Sequence, residues 1–333
     1  MLALKKVVLP VDFSERSAGA ARYVEALAEH CDCDVTLLHV LPPPHYEFSA
    51  LEVGGVVLNE LFTARAGQVR KDLDAFLATE LSRLRVERVL LEGDPARKIV
   101  EYCQEERSRL IVMPTHGYGP FRRFILGSVT AKVLHDADCP IWTGVHLEEA
   151  PASGSIVFRT VLLALDLGAH SRVVLDWASQ FAAKFNARLL VAYAIPCLES
   201  QPGEYFDQDW RAHIEEQSRE RIEALMDEAG VSGEILMEVG DPPQAICSMA
   251  GRVKADLVVI GRGSSAGMFG RLRANAYSII RQSPCPVVSV CGWARRALFQ
   301  PNRLFRSHPG LSDPLDRKRR GRGPGDAAEI RWR

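Results

Sequence analysis

Short apolar runs and longer amphipathic stretches alternate along this 333-residue chain, and the alternation is written twice. In the first half the apolar runs cover residues 5–11, 34–41, 86–92, 108–114 and 139–145. They are apolar almost without interruption rather than at every second residue, the pattern of parallel strands covered on both faces. Between them, apolar positions recur at helical spacing over 14–30, 58–83, 94–106 and 128–136. Ser14 is placed to cap the first helix, and Asp94 followed by Pro95 is a cap and first-turn start for the third. The second half predicts strands at 159–165, 187–193, 233–239, 255–261 and 286–291, with helices between them and Asp241-Pro242 repeating the cap. Strands separated by helices call for right-handed crossovers. The expected fold is α/β: two tandem doubly wound, Rossmann-like domains, each a five-stranded parallel sheet flanked by helices.

The two halves correspond residue by residue. "KKVVLPVDFSERS" returns as "RTVLLALDLGAHS", "LEGDPARKIV" as "MEVGDPPQAIC", "SRLIVMPTHG" as "ADLVVIGRGS", and "ADCPIWTGV" as "SPCPVVSVC". The offset is 154 at Asp12/Asp166, 147 at Asp94/Asp241 and 146 at Cys139/Cys285, so the second copy is shorter. A period of that size is one small domain and far too long for a solenoid repeat. The expected boundaries are 1–147, a small-residue linker at 148–156, a second domain at 157–293, and a basic tail at 294–333 that is unlikely to fold alone.

Composition changes this picture little. Apolar content of 47% and charged content of 25% are ordinary for a globular protein, and no run of about 18 uncharged apolar residues is present to span a bilayer. The apolar start stops at Asp12, so it reads as a first strand rather than a leader. Eight cysteines give no disulfide framework; Cys139 and Cys285, each before a proline, read as small buried residues of a protein in a reducing cytoplasm. The net charge of −1 conceals a tail with eleven Lys/Arg against four Asp/Glu, which leaves −8 for the rest. That tail offers weak, salt-sensitive contact with nucleic acid at most.

In an open α/β sheet ligands bind beyond the carboxyl ends of strands where the winding reverses, here beside strands one and four. Asp12 and Ser14 end the first strand. The fourth opens into "PTHGYGPFRRFILGSVTAKVL", with Gly117, Gly119 and Gly127 before a helix that begins near Ser128. Glycines let backbone approach an anion, the helix start offers free N–H groups, and Arg122 and Arg123 can pair with phosphates. A plain structural connector uses the same residues. On spacing alone the two readings stay level.

From Val7 to Val145, and again from Val161 to Val290, the chain resembles a universal stress protein domain. ATP-binding members of that family carry G-x2-G-x9-G-(S/T) after strand four. The first copy reads Pro114-x2-Gly117-x9-Gly127-Ser128, with proline replacing the first glycine. The resemblance implies that Asp12 and Val40 lie near the nucleoside, and that Gly117, Gly127, Ser128 and Val129 hold the phosphates of ATP. Asp12 can also hold a magnesium ion with the phosphates, as in phosphate sites generally. It also implies that the tandem copies pair through their last strands, 139–145 beside 286–291, and that two such chains can pair further as a homodimer. The second copy reads Gly261-x2-Ser264-x9-Ala274-Asn275 and keeps Asp166. It is expected to be degenerate, with Arg262, Arg271 and Arg273 keeping its loop basic. No nucleophile or general base is evident, so a nucleotide-binding regulatory module is expected rather than an enzyme. A slow ATPase and a scaffold without nucleotide are the rivals. His116 has no partner nucleophile in sequence, and His30, Cys31 and Cys33 offer one ligand group where a metal site has two.

Overall fold

The computed structural model describes residues 2, 4–43, 55–106, 110–115, 126–144, 147, 150–195, 208–262 and 274–292. Ten strands appear among them: β1 Lys6–Pro10, β2 Asp34–Leu41, β3 Val86–Glu92, β4 Leu110–Val112, β5 Ile141–Thr143, β6 Thr160–Leu165, β7 Arg188–Ile195, β8 Glu234–Val239, β9 Leu257–Arg262 and β10 Val287–Cys291. The helices between them are α1 Glu15–Cys31, α2 Gly55–Ala75, α3 Pro95–Glu105, α4 Ser128–Asp136, α5 Ser171–Phe185, α6 Gln208–Ala229, α7 Pro242–Arg252 and α8 Ala274–Gln282. The element types match the expectations; most bounds shift by one or two residues.

Three expectations need correction. The helix expected over 58–83 ends at Ala75, because Leu77 adopts a left-handed conformation with φ of 52°. Leu73, Leu77 and Leu81 are still all buried, the last two carried to the core by the turns that follow the helix. Asp241 sits at the start of α7 but makes no side-chain cap, whereas Asp94 accepts from Arg97 N at 3.0 Å. Pro242 and Pro243 already supply helical φ and remove two of the orphan N–H groups that a cap would satisfy. Cys285 is buried as expected, but Cys139 is only partly covered.

The strands form a single sheet in the order β3-β2-β1-β4-β5-β10-β9-β6-β7-β8. Within each half the ladders are parallel, and the halves meet at β5 and β10, which run antiparallel with Trp142 opposite Val288. Consecutive residues of a strand face opposite sides, so one core forms on each face. Val7, Leu9, Leu163 and Val259 pack under α1 and α5; Val8, Ile111, Leu162 and Val258 pack under α3, α4, α7 and α8. Each core runs through both repeats. An aromatic seam reinforces the join: Trp142 of β5 lies 5.3 Å from Phe158 and 5.9 Å from both Phe181 and Tyr23, centroid to centroid. His30 stacks on Phe185 at 4.2 Å and its Nε2 meets the Lys184 carbonyl at 2.7 Å, so the histidine weighed above as a metal ligand is part of the join.

Candidate functional site

β1 and β4 are neighbours, yet β1 leads through α1 to β2 on one side and β4 leads through α4 to β5 on the other. Their carboxyl ends therefore frame the crevice at which open α/β sheets take ligands. Just past β1, Phe13 adopts φ of 63°, uncommon for a bulky residue. That turn folds the chain back over Asp12, whose Oδ1 accepts from Ser14 N (3.1 Å), Ser14 Oγ (2.5 Å) and Ser17 Oγ (2.7 Å). Oδ2 takes no part in these bonds. Ser14 also caps α1, its Oγ accepting from Ser17 N. Val40 is buried near the end of β2. Beside it, His39 Nδ1 meets the Val11 carbonyl at 2.7 Å and its ring stacks on Phe13 at 4.6 Å, tying the ends of β1 and β2 together. Burial pushes the His39 pKa down, against the opposing pull of the Val11 carbonyl and Asp12.

The other wall is the start of α4. Gly127 occupies the N-cap with φ of −59° and ψ of 145° and has no side chain to bond the first-turn amides. The amides of Ser128, Val129 and Thr130 thus begin a helix without the side-chain cap that Ser14 gives α1 and Asp94 gives α3. Such amides, at the positive end of the helix dipole, favour an anion. Gly127 N donates to the Thr115 carbonyl at 2.8 Å, closing the base of the loop. Thr130 Oγ1 donates to the Pro114 carbonyl at 3.1 Å, so Pro114 contributes an acceptor even though it lacks an N–H. Ser128 is exposed, while Gly127 and Val129 are partly so. Gly117, Arg122 and Arg123, together with His116, Gly119, Tyr118, Phe121 and Phe124, lie outside the described residues.

The second repeat keeps half of this arrangement. Leu167 repeats the left-handed turn with φ of 53°, and Asp166 Oδ1 accepts from Gly168 N (2.9 Å) and Ser171 Oγ (3.2 Å). A largely apolar cleft of about 200 Å³ lies at the strand ends, lined by Leu165, Asp166, Tyr193, Ala194, Gly261 and Asn275 among others. The helix start differs. α8 begins at Ala274, so the position equivalent to Gly127 is drawn into the helix. Ser264, Arg271 and Arg273 lie outside the described residues.

Arg262 overturns its expected role. It does not keep the second loop basic: it is 1% exposed and points into the first repeat. Its Nη1 donates to the carbonyls of Leu134 (2.6 Å) and Ala137 (3.2 Å), and its Nη2 to that of Cys139 (2.6 Å). Sequence reasoning also missed Ser17 and Tyr277. Ser17 was legible as the second serine after Asp12 in "DFSERS". Tyr277 carries no local signal, because its partner, Leu126 N, is 151 positions away.

Comparison with known proteins follows the same division. The Universal stress protein family matches residues 3–143 and again 158–290. A universal stress protein of Methanocaldococcus jannaschii is 31% identical over 137 residues, covering 41% of this chain and 79% of its own length. One from Mycolicibacterium smegmatis is 25% identical over 292 residues, 85% of this chain and 96% of its own length, so it spans both repeats. Among solved structures, a universal stress protein from Archaeoglobus fulgidus superposes with a TM-score of 0.62 at 21% identity, covering 86% of this chain and 98% of that one.

Proposed function

Since the chain belongs to the universal stress protein family as a tandem two-domain member, we propose that it is a regulatory module binding an adenine nucleotide, ATP, in its first repeat. One observation carries this reading: α4 starts on a glycine with no side-chain cap, at the crevice where Asp12 is held by Ser14 and Ser17. Unsatisfied amides on one wall suit a polyanion, and a carboxylate with one oxygen uncommitted to its own turn suits ribose hydroxyls or a magnesium ion beside the phosphates. Val40 supplies apolar surface toward the base. Gly117, Gly127, Ser128 and Val129 would hold the phosphates, with Arg122 and Arg123 as further partners. The second repeat keeps Asp166 and a cleft but has Ala274 inside its helix. That supports a degenerate second site, with Gly261, Ser264 and Asn275 in the equivalent places.

In this reading the two repeats, 1–147 and 157–293, act as one pair through β5 and β10, with 148–156 as linker. Seven described cysteines carry free thiols, which suits a cytoplasmic setting. Among the described residues no helix is long and apolar enough to cross a membrane. Pairing of two chains and weak contact of the 294–333 tail with nucleic acid complete the proposal.

Gly127→Asp tests the site. The φ and ψ of Gly127 are open to any residue, and a capping carboxylate at a helix start stabilises by about 0.3–1 kcal/mol. The same carboxylate would bond the first-turn amides and repel phosphate. Calorimetric titration should show ATP binding weakened by about tenfold or more in a protein that unfolds no earlier than wild type. Unchanged affinity in Gly127→Asp would move the site elsewhere. A wild type that neither releases nucleotide on denaturation nor takes up ATP would end the proposal.

A further inference from the structure

Helix α4 is gripped at both ends by the other repeat. At its entry, Tyr277 of α8 accepts through its hydroxyl from Leu126 N at 3.1 Å, one residue before the N-cap Gly127. At its exit, Arg262 of β9 gathers the carbonyls of Leu134, Ala137 and Cys139. The Leu134 and Ala137 carbonyls are acceptors that a helix leaves unsatisfied at its C-terminal end, where a cation also meets the negative pole of the dipole, and Cys139 lies just beyond. Arg281, one turn further along α8, sits over the Tyr277 ring at 5.6 Å and braces it. α4 has nine residues, so these anchors bracket the whole helix.

The grip has a direction. The residue equivalent to Arg262 in the first repeat is Thr115, and the one equivalent to Tyr277 is Thr130. Neither side chain has the length to return the contact across the join. Thr130 Oγ1 is spent on the Pro114 carbonyl of its own repeat. The two positions therefore differ between the repeats: long and cross-reaching side chains in the second, threonines in the first.

We propose that the second repeat serves as the positioning scaffold for the nucleotide site of the first, with Arg262 and Tyr277 as positioning residues that set where the α4 amides point. This rests on the nucleotide reading above and extends it to the half of the chain that has lost its own cradle. Amides useful to a phosphate must be held within a fraction of an ångström, and rigid support behind them decides how much of their interaction is realised. A helix of barely more than two turns has little stiffness of its own. Its orientation is set by what holds its ends.

The test uses the full chain with Tyr277→Phe and Arg262→Lys. The first removes one oxygen; the second keeps a positive charge but cannot bridge three carbonyls. Hydrogen exchange without nucleotide should quicken at the hydrogen-bonded amides of Leu126, Gly127 and Ala131 in Tyr277→Phe and remain unchanged in α7. ATP affinity should fall by about threefold to thirtyfold in both variants, while Tyr277→Phe keeps a single urea transition whose midpoint falls only by the loss of one hydrogen bond. Unchanged exchange at Leu126, Gly127 and Ala131 in both variants overturns the inference whatever ATP does. Faster exchange with unaltered ATP affinity also overturns it and leaves the nucleotide reading intact. A wild type that binds no ATP overturns that reading, and this inference with it.

Discussion

Trp142 is the residue on which the join can be put to a quantitative test. It is completely buried in a three-residue strand, opposite Val288 of the other repeat, with Phe158 and Phe181 of the other half against its ring. Its indole Nε1 is buried with no hydrogen-bond partner among the described residues. Two effects therefore oppose each other. Removing the ring in Trp142→Ala loses about 3–5 kcal/mol of burial and packing. An unpaired buried N–H is itself a cost of about 1–3 kcal/mol, which both replacements relieve. Trp142→Phe keeps a six-membered ring and the edge-to-face contact with Phe158, and loses about 1–2 kcal/mol of contact. The two terms nearly cancel, so Trp142→Phe should lie within about 1 kcal/mol of wild type. With the same relief subtracted, Trp142→Ala should cost about 2 kcal/mol net and lower the midpoint of thermal unfolding by about 4 °C, at about 2 °C per kcal/mol for a unit this large. Both readings come from circular dichroism during urea and thermal unfolding. Because each core crosses the join, the Trp142→Ala transition should stay single and move as a whole. The reasoning is wrong if Trp142→Phe costs as much as Trp142→Ala, or if Trp142→Ala splits unfolding into a shifted half and an unshifted one.

Two further predictions follow from titrating groups. His39 has its pKa lowered by burial, so the native state refuses a proton that the unfolded chain binds below about 6.5. Stability should therefore be full above that pH and decline as pH falls through it. His39→Gln should flatten the decline in urea midpoints taken between pH 7.5 and 5.5, at values around the ordinary histidine range; an equal slope in the variant would refute the assignment. Burial pushes the thiols of Cys33 and Cys285 up to about 12 and that of Cys247 up to about 11. The Cys103 thiol bonded to Cys139, then the charge of Arg262, hold the partly exposed Cys139 below the usual thiol value. Brief iodoacetamide treatment near pH 8, read by peptide mass mapping, should therefore label Cys139 before those three; Cys285 labelled first would contradict it.

What was legible in the sequence was local. Unbroken apolar runs announced parallel strands, Ser14 and Asp94 announced helix starts, and the doubled order of signals announced two copies. Asp12 and Gly127 stood out because turn and cap chemistry is written within a few neighbouring residues. Side chains that work at long range were not legible. Arg262 sits in a glycine-rich stretch that looks like solvent-facing loop, and only the fold reveals that it ends against carbonyls more than 120 positions earlier. Tyr277 likewise looks like one more residue on an amphipathic helix. The left-handed turns at Phe13 and Leu167 escaped for a different reason. Neither residue is glycine, asparagine or aspartate, so the usual compositional cue for positive φ was missing. The surroundings impose that conformation in both copies.

The antiparallel seam between β5 and β10 has an evolutionary corollary. When two identical subunits meet across such a seam, every substitution is made twice, and a change that ruins one cleft ruins both. Joined on one polypeptide, the halves are free to accumulate different substitutions. Threonine at 115 against arginine at 262, and threonine at 130 against tyrosine at 277, are asymmetries of the kind that a single polypeptide permits.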